Sequence, residues 1–364
     1  MLQSNNLLVF IDNMSIGGTQ ECIVNLCSEL DEFNITILSI FGENDYQPKL
    51  ERLPNVTIKH LFAGKLESSL HRLVVIPIVL YRFAKLRVWL KTNFVWTNVR
   101  LPLSMTVWWM FGMCKITKCH FNIDCDARQL TKYERLAFEL CLPSFDSVSI
   151  AKSIRKGYEF LKLKSCQVKD DPFFVTVRND VLAIEYENTY NLLFISRLVP
   201  QKGLMDALRI MLAINESSKG TVQLHVIGDG PQRILGEQYC KDHNINCITF
   251  YGFRTDLNRF FERCDGIIKV SHGEPANSVV REALYSGKRV FSTIESPTDL
   301  ELADSGLLIA IDRNSPEVTA LDILDCLKAD RLDSKHQETI HKLFSTIYSV
   351  DSAKAFYLNL IKCQ

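Results

Sequence analysis

The chain carries no net charge: 42 Lys and Arg are balanced by 42 Asp and Glu. That balance argues against a nucleic-acid binder, which needs a surplus of cations to meet phosphates. No Cys-x-x-Cys pair occurs among the twelve cysteines, which are spread from Cys22 to Cys363, and the histidines do not join them at zinc spacing. A disulfide framework and a zinc module are therefore not expected, and 364 residues need no such staple to build a core. The cysteines read as reduced, mostly buried thiols. No secretory leader is visible, because the first apolar run, Leu7 to Ile11, is short and lacks a basic stretch before it. Internal repeats and low-complexity tracts are missing too. These absences describe a cytoplasmic globular protein.

Hydrophobic residues make up 47% of the chain, enough for two cores. The second half alternates regularly. Strands are expected near 191–196, 222–227, 247–251, 266–270 and 289–293, with helices near 203–214, 231–243, 255–263 and 278–286 between them. Such alternation marks a parallel sheet with helices on both faces, whose ligands sit beyond the carboxyl ends of the strands. The first half is less regular, with strands expected near 7–11, 35–40, 56–61 and 145–150 and a linker between Val168 and Asn188. Charge divides unevenly: residues 1–170 hold 21 Lys and Arg against 16 Asp and Glu, a net of +5, and the remainder 21 against 26, a net of −5.

The most informative stretch is Ser271 to Ala283, Ser-His-Gly-Glu-Pro-Ala-Asn-Ser-Val-Val-Arg-Glu-Ala. Gly273 and Pro275 mark a loop, and Val279, Val280, Ala283 and Leu284 supply an apolar helical face. Glu274 then precedes a helix and Glu282 lies inside it. Helix N-termini offer backbone N–H groups to phosphates, and flanking carboxylates accept hydrogen bonds from sugar hydroxyls. Upstream, Asn191 to Gly203 is a buried-strand run whose loop carries Arg197 and Lys202 into the next helix, and Val222 to Pro231 is a second strand closed by a Gly-rich turn. Near the start, Leu7 to Ile11 leads through Asp12 to Ile16 into Gly17-Gly18 and an amphipathic helix.

These four elements, in this order, resemble the family 4 glycosyltransferases, also grouped as glycosyl transferases group 1, which are retaining enzymes of the GT-B fold. The resemblance is strongest from Asn191 to Ser292. It implies an α/β chain of two Rossmann-like domains with parallel sheets facing across a cleft: residues 1–170 binding the acceptor, residues 188–349 binding the nucleotide sugar, and a C-terminal helix at about 350–364 packing back on the first. Residue by residue, Arg197 and Lys202 match the pair that holds the donor diphosphate, Glu282 the carboxylate on the ribose, and Glu274 the one near the reacting carbon of the sugar. Asn277 and Ser278 fall at the helix start facing the donor, Gly17 and Gly18 match the glycine loop that approaches the phosphates, and His120 lies where the family often places an active-site histidine, a core or surface histidine being the other reading. Pro275 follows Glu274 where the commonest form of the motif has Gly, so one backbone donor to the sugar is gone. The implied donor is a UDP- or GDP-linked sugar, with no metal or other cofactor. Asp124 and Asp126 spell Asp-x-Asp, the metal motif of the other main glycosyltransferase fold, and are set aside for that reason.

Residues 65–91 hold six basic residues and one acid, Glu67, around the uncharged stretch Leu73 to Tyr81, which Pro77 interrupts. Leu73 to Tyr81 is too short to span a bilayer, which takes ~20 apolar residues. The segment is either a basic amphipathic surface lying on an anionic membrane or a pair of helices with a core face and a solvated basic face. Trp108 to Phe111 reads as core before membrane anchor, Asp229 as a turn residue, and Arg254 as a solvated loop cation before one that faces the nucleotide. The function implied is transfer of a sugar from a nucleotide diphosphate to an acceptor hydroxyl, with a glycan or lipid-linked glycan of surface polysaccharide as acceptor and a location on the inner face of the membrane. An epimerase or phosphorylase of the same fold, or a non-catalytic glycan-binding subunit, are the alternatives.

Overall fold

A computed structural model describes residues 5–15, 17–63, 69–87, 94–98, 118–123, 130–141, 145–150, 167–169, 189–218, 220–254, 256–273, 278–295, 297–329, 340, 342 and 350–362. The chain forms two compact units, one from Met1–Phe174 with Tyr348–Gln364 and the other from Val175–Ile347.

In the first unit β1 (Asn6–Ile11), β2 (Asn34–Phe41), β3 (Val56–Phe62), β4 (Phe94–Asn98), β5 (Lys118–Ile123), β6 (Ser147–Ile150) and β7 (Gln167–Lys169) form one sheet in the order β3-β2-β1-β4-β5-β6-β7. Every pairing is parallel. A parallel strand at the middle of such a sheet is covered on both faces and must be apolar throughout, and Leu7 to Ile11 are all buried. Leu7, Val9 and Ile11 pack in one cluster with α1 (Gly18–Glu29) through Ile23, Val24 and Cys27. Phe10, on the opposite face, meets Phe83 of α3 (Ser69–Arg87) with ring centroids 5.9 Å apart. Between these lies the short α2 (Gln47–Leu50), and α4 (Lys132–Cys141) seats Phe138 edge-on against Phe121 of β5.

The final helix of the chain, Val350–Lys362, belongs to this same unit. Its Ala353 and Tyr357 join the α1–β1 cluster, and Tyr357 meets Trp96 of β4 edge-on at 6.3 Å.

In the second unit β8 (Tyr190–Ile195), β9 (Val222–Ile227), β10 (Ile248–Gly252), β11 (Gly266–Lys269), β12 (Arg289–Ser292) and β13 (Ile309–Ala310) run parallel in the order β10-β9-β8-β11-β12-β13. The linking helices are α5 (Leu204–Ser218), α6 (Gln232–Asp242), α7 (Leu257–Arg263), α8 (Ser278–Tyr285), α9 (Pro297–Asp304) and α10 (Pro316–Lys328), which makes the terminal helix α11. Leu204, Leu208 and Met211 of α5 join Leu224, Val226, Ile268, Phe291, Ile323 and Leu327 in one core.

The structure differs from the expectations in several places. Strands β4, β5 and β7 and the elements α9, β13 and α10 were not foreseen, whereas a helix at about 350–364 was expected, and α3 is one helix that runs through Pro77 rather than stopping there. Val79 and Phe83 of α3 are buried, while Ile78, Tyr81, Arg82 and Lys85 are exposed. Trp108 to Phe111, Asp124, Asp126 and residues 170–188 lie outside the described residues. Among the described residues no helix is long and apolar enough to cross a membrane. Cys27, Cys240, Cys247, Cys264 and Cys326 are free thiols, and burial pushes those of Cys27 and Cys264 up to about 12, which leaves them protonated and unreactive.

Deleting a buried aromatic ring costs about 3–5 kcal/mol. Tyr357→Ala should therefore lower the urea midpoint of the first unit by a corresponding amount, and Tyr357→Phe, which keeps the ring, by far less. Equal midpoints for Tyr357→Ala and the parent would show that α11 contributes little to that core.

Candidate functional site

Strand order in the second unit reverses at β8. The chain adds β9 and β10 on one side, then crosses back to place β11, β12 and β13 on the other. Helices on the two sides of such a switch leave a crevice beyond the strand ends, where ligands of this architecture sit. The loop leaving β8 and the loop leaving β11 therefore define the candidate site.

The first loop is braced on both flanks. Ser196 N–H donates to Ile227 O (3.1 Å), Leu198 N–H to Asp229 O (2.8 Å), and Gln232 N–H returns to Leu198 O (2.9 Å). Gly228, at φ 128, sits so close that a Cβ there would lie 1.8 Å from Ser196 O, and one on Gly203, at φ 72, would lie 2.1 Å from Val270 O. Neither position admits a side chain. Leu198 is wholly buried, and the neighbouring Arg197 is exposed as a result. Lys202 closes the 3-10 turn Pro200–Lys202 and is half-buried; with Ser196, Lys269, Ser271 and Val279 it lines a small cavity at the strand ends.

The second loop is held by charged groups. Lys269, buried on β11, pairs with buried Asp299 of α9 at 3.1 Å, and that carboxylate also accepts from Glu295 N–H at 3.2 Å. Gly273 N–H donates to Glu295 Oε2 (2.9 Å), while Arg313 binds both the Glu295 carboxylate and Ser271 O. Burial would raise the Glu295 pKa, but the Gly273 N–H and Arg313 outweigh it and hold the carboxyl below its usual range. On the other flank, His272 N–H donates to Gln201 O (2.7 Å), and its Nε2 lies 2.7 Å from Asp206 Oδ2.

The expected site residues fall as follows. Arg197 and Lys202 lie on the loop leaving β8, Ser278 opens α8, and Glu282 is half-buried within that helix. Glu274 and Asn277 lie outside the described residues. Gly17 and Gly18 belong to the first unit. Gly17 is the extended residue before α1, exchanging hydrogen bonds with the Tyr46 hydroxyl at 3.3–3.4 Å, and Gly18, exposed, opens the helix. His120 is wholly buried in β5: its Nδ1 meets Ser147 Oγ at 2.8 Å, its Nε2 meets Ser149 Oγ at 3.1 Å, and its ring abuts Phe356. Both nitrogens are engaged inside the sheet. Asp229 is tied to its own turn and to Arg233, and Arg254 clasps Asp256 through two bonds. Among the described residues no group of three or more His, Cys, Asp or Glu could hold a metal ion.

Lys269, Asp206, Asp299, Glu295 and Arg313 were not singled out from the sequence. Only Lys269 carried a usable signal, a cation at the end of the apolar run Gly266-Ile267-Ile268, where a covered strand has no solvent face.

Residues 189–329 match the family model for Glycosyl transferases group 1. No curated protein matches the chain by sequence. Among solved structures the chain is similar to Anabaena Alr3699/HepE in complex with UDP and glucose, with a TM-score of 0.76 and 16% identity over 98% of this chain and 99% of that one. It is also similar to TarM of S. aureus (0.77, 13%, 99% of each chain) and to WaaG, a glycosyltransferase involved in lipopolysaccharide biosynthesis (0.72, 13%, 99% and 100%). These likenesses establish the fold, the GT-B pair of Rossmann-like domains.

Breaking a buried ion pair by removing one partner costs about 3–5 kcal/mol, because the other charge is left uncompensated. Lys269→Met should lower stability by that amount in chemical denaturation, and Lys269→Met combined with Asp299→Leu should recover most of it. A double variant as unstable as the single one would mean that the pair itself is not what holds the β11 exit.

Proposed function

We propose that the chain, whose residues 189–329 match the family model for Glycosyl transferases group 1, is a glycosyltransferase that moves a sugar, with retention, from a nucleotide diphosphate donor to an acceptor hydroxyl. The observation that carries this reading is the pairing of Arg197 and Lys202 on one braced loop, at the strand switch and beside the start of α8. A diphosphate needs charge-assisted donors, and Arg offers a planar fork where Lys offers a point charge. The acceptor oxygen bonds to the anomeric carbon as the bond from that carbon to the diphosphate breaks, and the departing phosphate oxygen takes the acceptor proton. Arg197 and Lys202 stabilise the charge that develops on that phosphate. Glu282 accepts hydrogen bonds from the ribose, Glu274 holds the sugar, Asn277 and Ser278 meet the donor, and Gly18, which opens α1 after the extended Gly17, offers its N–H to an anion. His120, with both nitrogens committed to Ser147 and Ser149, is assigned to the packing of β5 on β6 and not to catalysis.

UDP is the first donor nucleotide to test, since HepE was solved with UDP and glucose. A lipid-linked glycan of surface polysaccharide is the acceptor we favour. The likeness to WaaG supports it, as do the basic first half and the exposed Ile78, Tyr81, Arg82 and Lys85 of α3. The protein then works peripherally at the inner face of the membrane.

Each charge-assisted contact is worth roughly 1.5–3 kcal/mol, about 10- to 150-fold in rate. Arg197→Ala and Lys202→Ala should each lose at least that much transfer while keeping the parent circular dichroism spectrum; near-normal turnover in both would sink the donor assignment. Replacing Arg82, Lys85, Arg87 and Lys91 together with Gln should weaken sedimentation with anionic vesicles, since each cation at such a surface contributes ~1 kcal/mol, and should spare hydrolysis of the free donor. Vesicle binding that is absent in the parent, or indifferent to both salt and these changes, would remove the membrane from the proposal.

A further inference from the structure

The loop leaving β11 is tied to the loop leaving β8 by the two bonds of His272. Its N–H donates to Gln201 O at 2.7 Å, and Gln201 directly precedes Lys202. Its imidazole Nε2 lies 2.7 Å from Asp206 Oδ2. Asp206 is buried in the first turn of α5, with its other oxygen accepting from Arg209 Nη2 at 2.7 Å. A carboxylate can only accept, so Nε2 carries the hydrogen of the His272–Asp206 bond. The His272 side chain is 46% exposed, so burial does not hold it there. Core packing therefore gives no reason for the imidazole, and the bond to Asp206 does.

The neighbours of His272 on either side are also fastened. Ser271 O accepts from Arg313, and Gly273 N–H donates to Glu295. Gly273 itself adopts φ 69, which favours glycine, although a Cβ there would meet nothing within 4 Å. The chain turns at that point between two grips and passes, at the next residue, to Glu274.

We infer that His272 is a positioning residue that couples the diphosphate-holding loop to the sugar-holding loop. This rests on the donor reading above. Through Asp206 and Gln201 it fixes the β11 exit, Ser271 to Gly273, relative to Lys202, and with it the point from which the chain runs on into the sugar-binding stretch of that reading. The backbone bond to Gln201 survives any side-chain substitution, and the imidazole–Asp206 link can be cut by itself.

The test is calorimetric titration of the parent, His272→Ala, His272→Gln and Asp206→Asn with UDP and GDP, and with UDP-glucose, UDP-galactose, UDP-N-acetylglucosamine and GDP-mannose, alongside donor hydrolysis rates. His272→Ala should bind the free diphosphate within about twofold of the parent. It should bind the sugar-bearing donor on the order of tenfold more weakly, the loss of one hydrogen bond to a charged group, with a matching fall in kcat for hydrolysis. Asp206→Asn, which removes the charge and leaves one acceptor oxygen for the two donors His272 and Arg209, should shift the ratio in the same direction. His272→Gln, whose side-chain N–H reaches similarly far, should restore most of it. Equal weakening of diphosphate and sugar donor, or no change in either, overturns the coupling and leaves the donor reading intact. A parent that binds none of the six ligands overturns the donor reading and the coupling with it.

Discussion

Three strand exits in the second unit approach one another so closely that side chains are excluded between them. At Gly228 and Gly203 the space for a Cβ is already taken by the carbonyls of Ser196 and Val270. Any other residue would have to push the β8 exit away from its neighbour on β9 or on β11. Because Arg197 and Lys202 ride on that exit, their placement depends on this contact more than on any interaction of their own side chains. Rigid support of this kind lets a loop present charge without first having to order itself, and preorganised charge stabilises a transition state better than charge that must be gathered.

A second pattern follows from how charged residues are distributed around the same end of the sheet. Lys269 and Asp299, Glu295 and Arg313, and Asp206 with His272 and Arg209 are all engaged with one another. They hold loops in place. Arg197, by contrast, is exposed. A buried pair such as Lys269–Asp299 gives up two hydration shells and regains them only through good geometry, so its net contribution to stability is small. What it supplies is a defined position for the β11 exit within a layer that is otherwise apolar.

The second unit was readable from the sequence because its strands are covered on both faces and therefore spell continuous apolar runs, such as Leu192 to Phe194 and Gly266 to Ile268, punctuated by glycines with positive φ. The first unit was harder to read. β4, Phe94-Val95-Trp96-Thr97-Asn98, and β5, Lys118-Cys119-His120-Phe121-Asn122-Ile123, place polar residues inside the sheet, and their partners come from elsewhere: His120 is satisfied by Ser147 and Ser149, 27 and 29 residues later. A buried histidine with distant partners looks, in one dimension, the same as a reactive one. The candidate site divides in the same way. Arg197 and Lys202 stand out because they follow a strand, and Glu282 because it lies within a short apolar-faced helix that follows a loop, whereas the groups that brace the loops are separated by 30 residues in the Lys269–Asp299 pair and by 66 in the His272–Asp206 pair. No local pattern reports such a contact.

The return of α11 to the first unit has a consequence for how the chain is made. Tyr357 and Ala353 complete the cluster around Leu7, Val9 and Trp96, yet more than 250 residues of chain separate Trp96 from Tyr357. Domains fold as they emerge from the ribosome, N-terminal first. Here the N-terminal unit cannot finish in that order. Its α1–β1 face stays uncovered while the whole second unit is synthesised, and closes only when the last helix arrives. The interval is one in which the nascent chain displays apolar surface, and the later unit, whose contacts lie within one continuous stretch, is free to fold first.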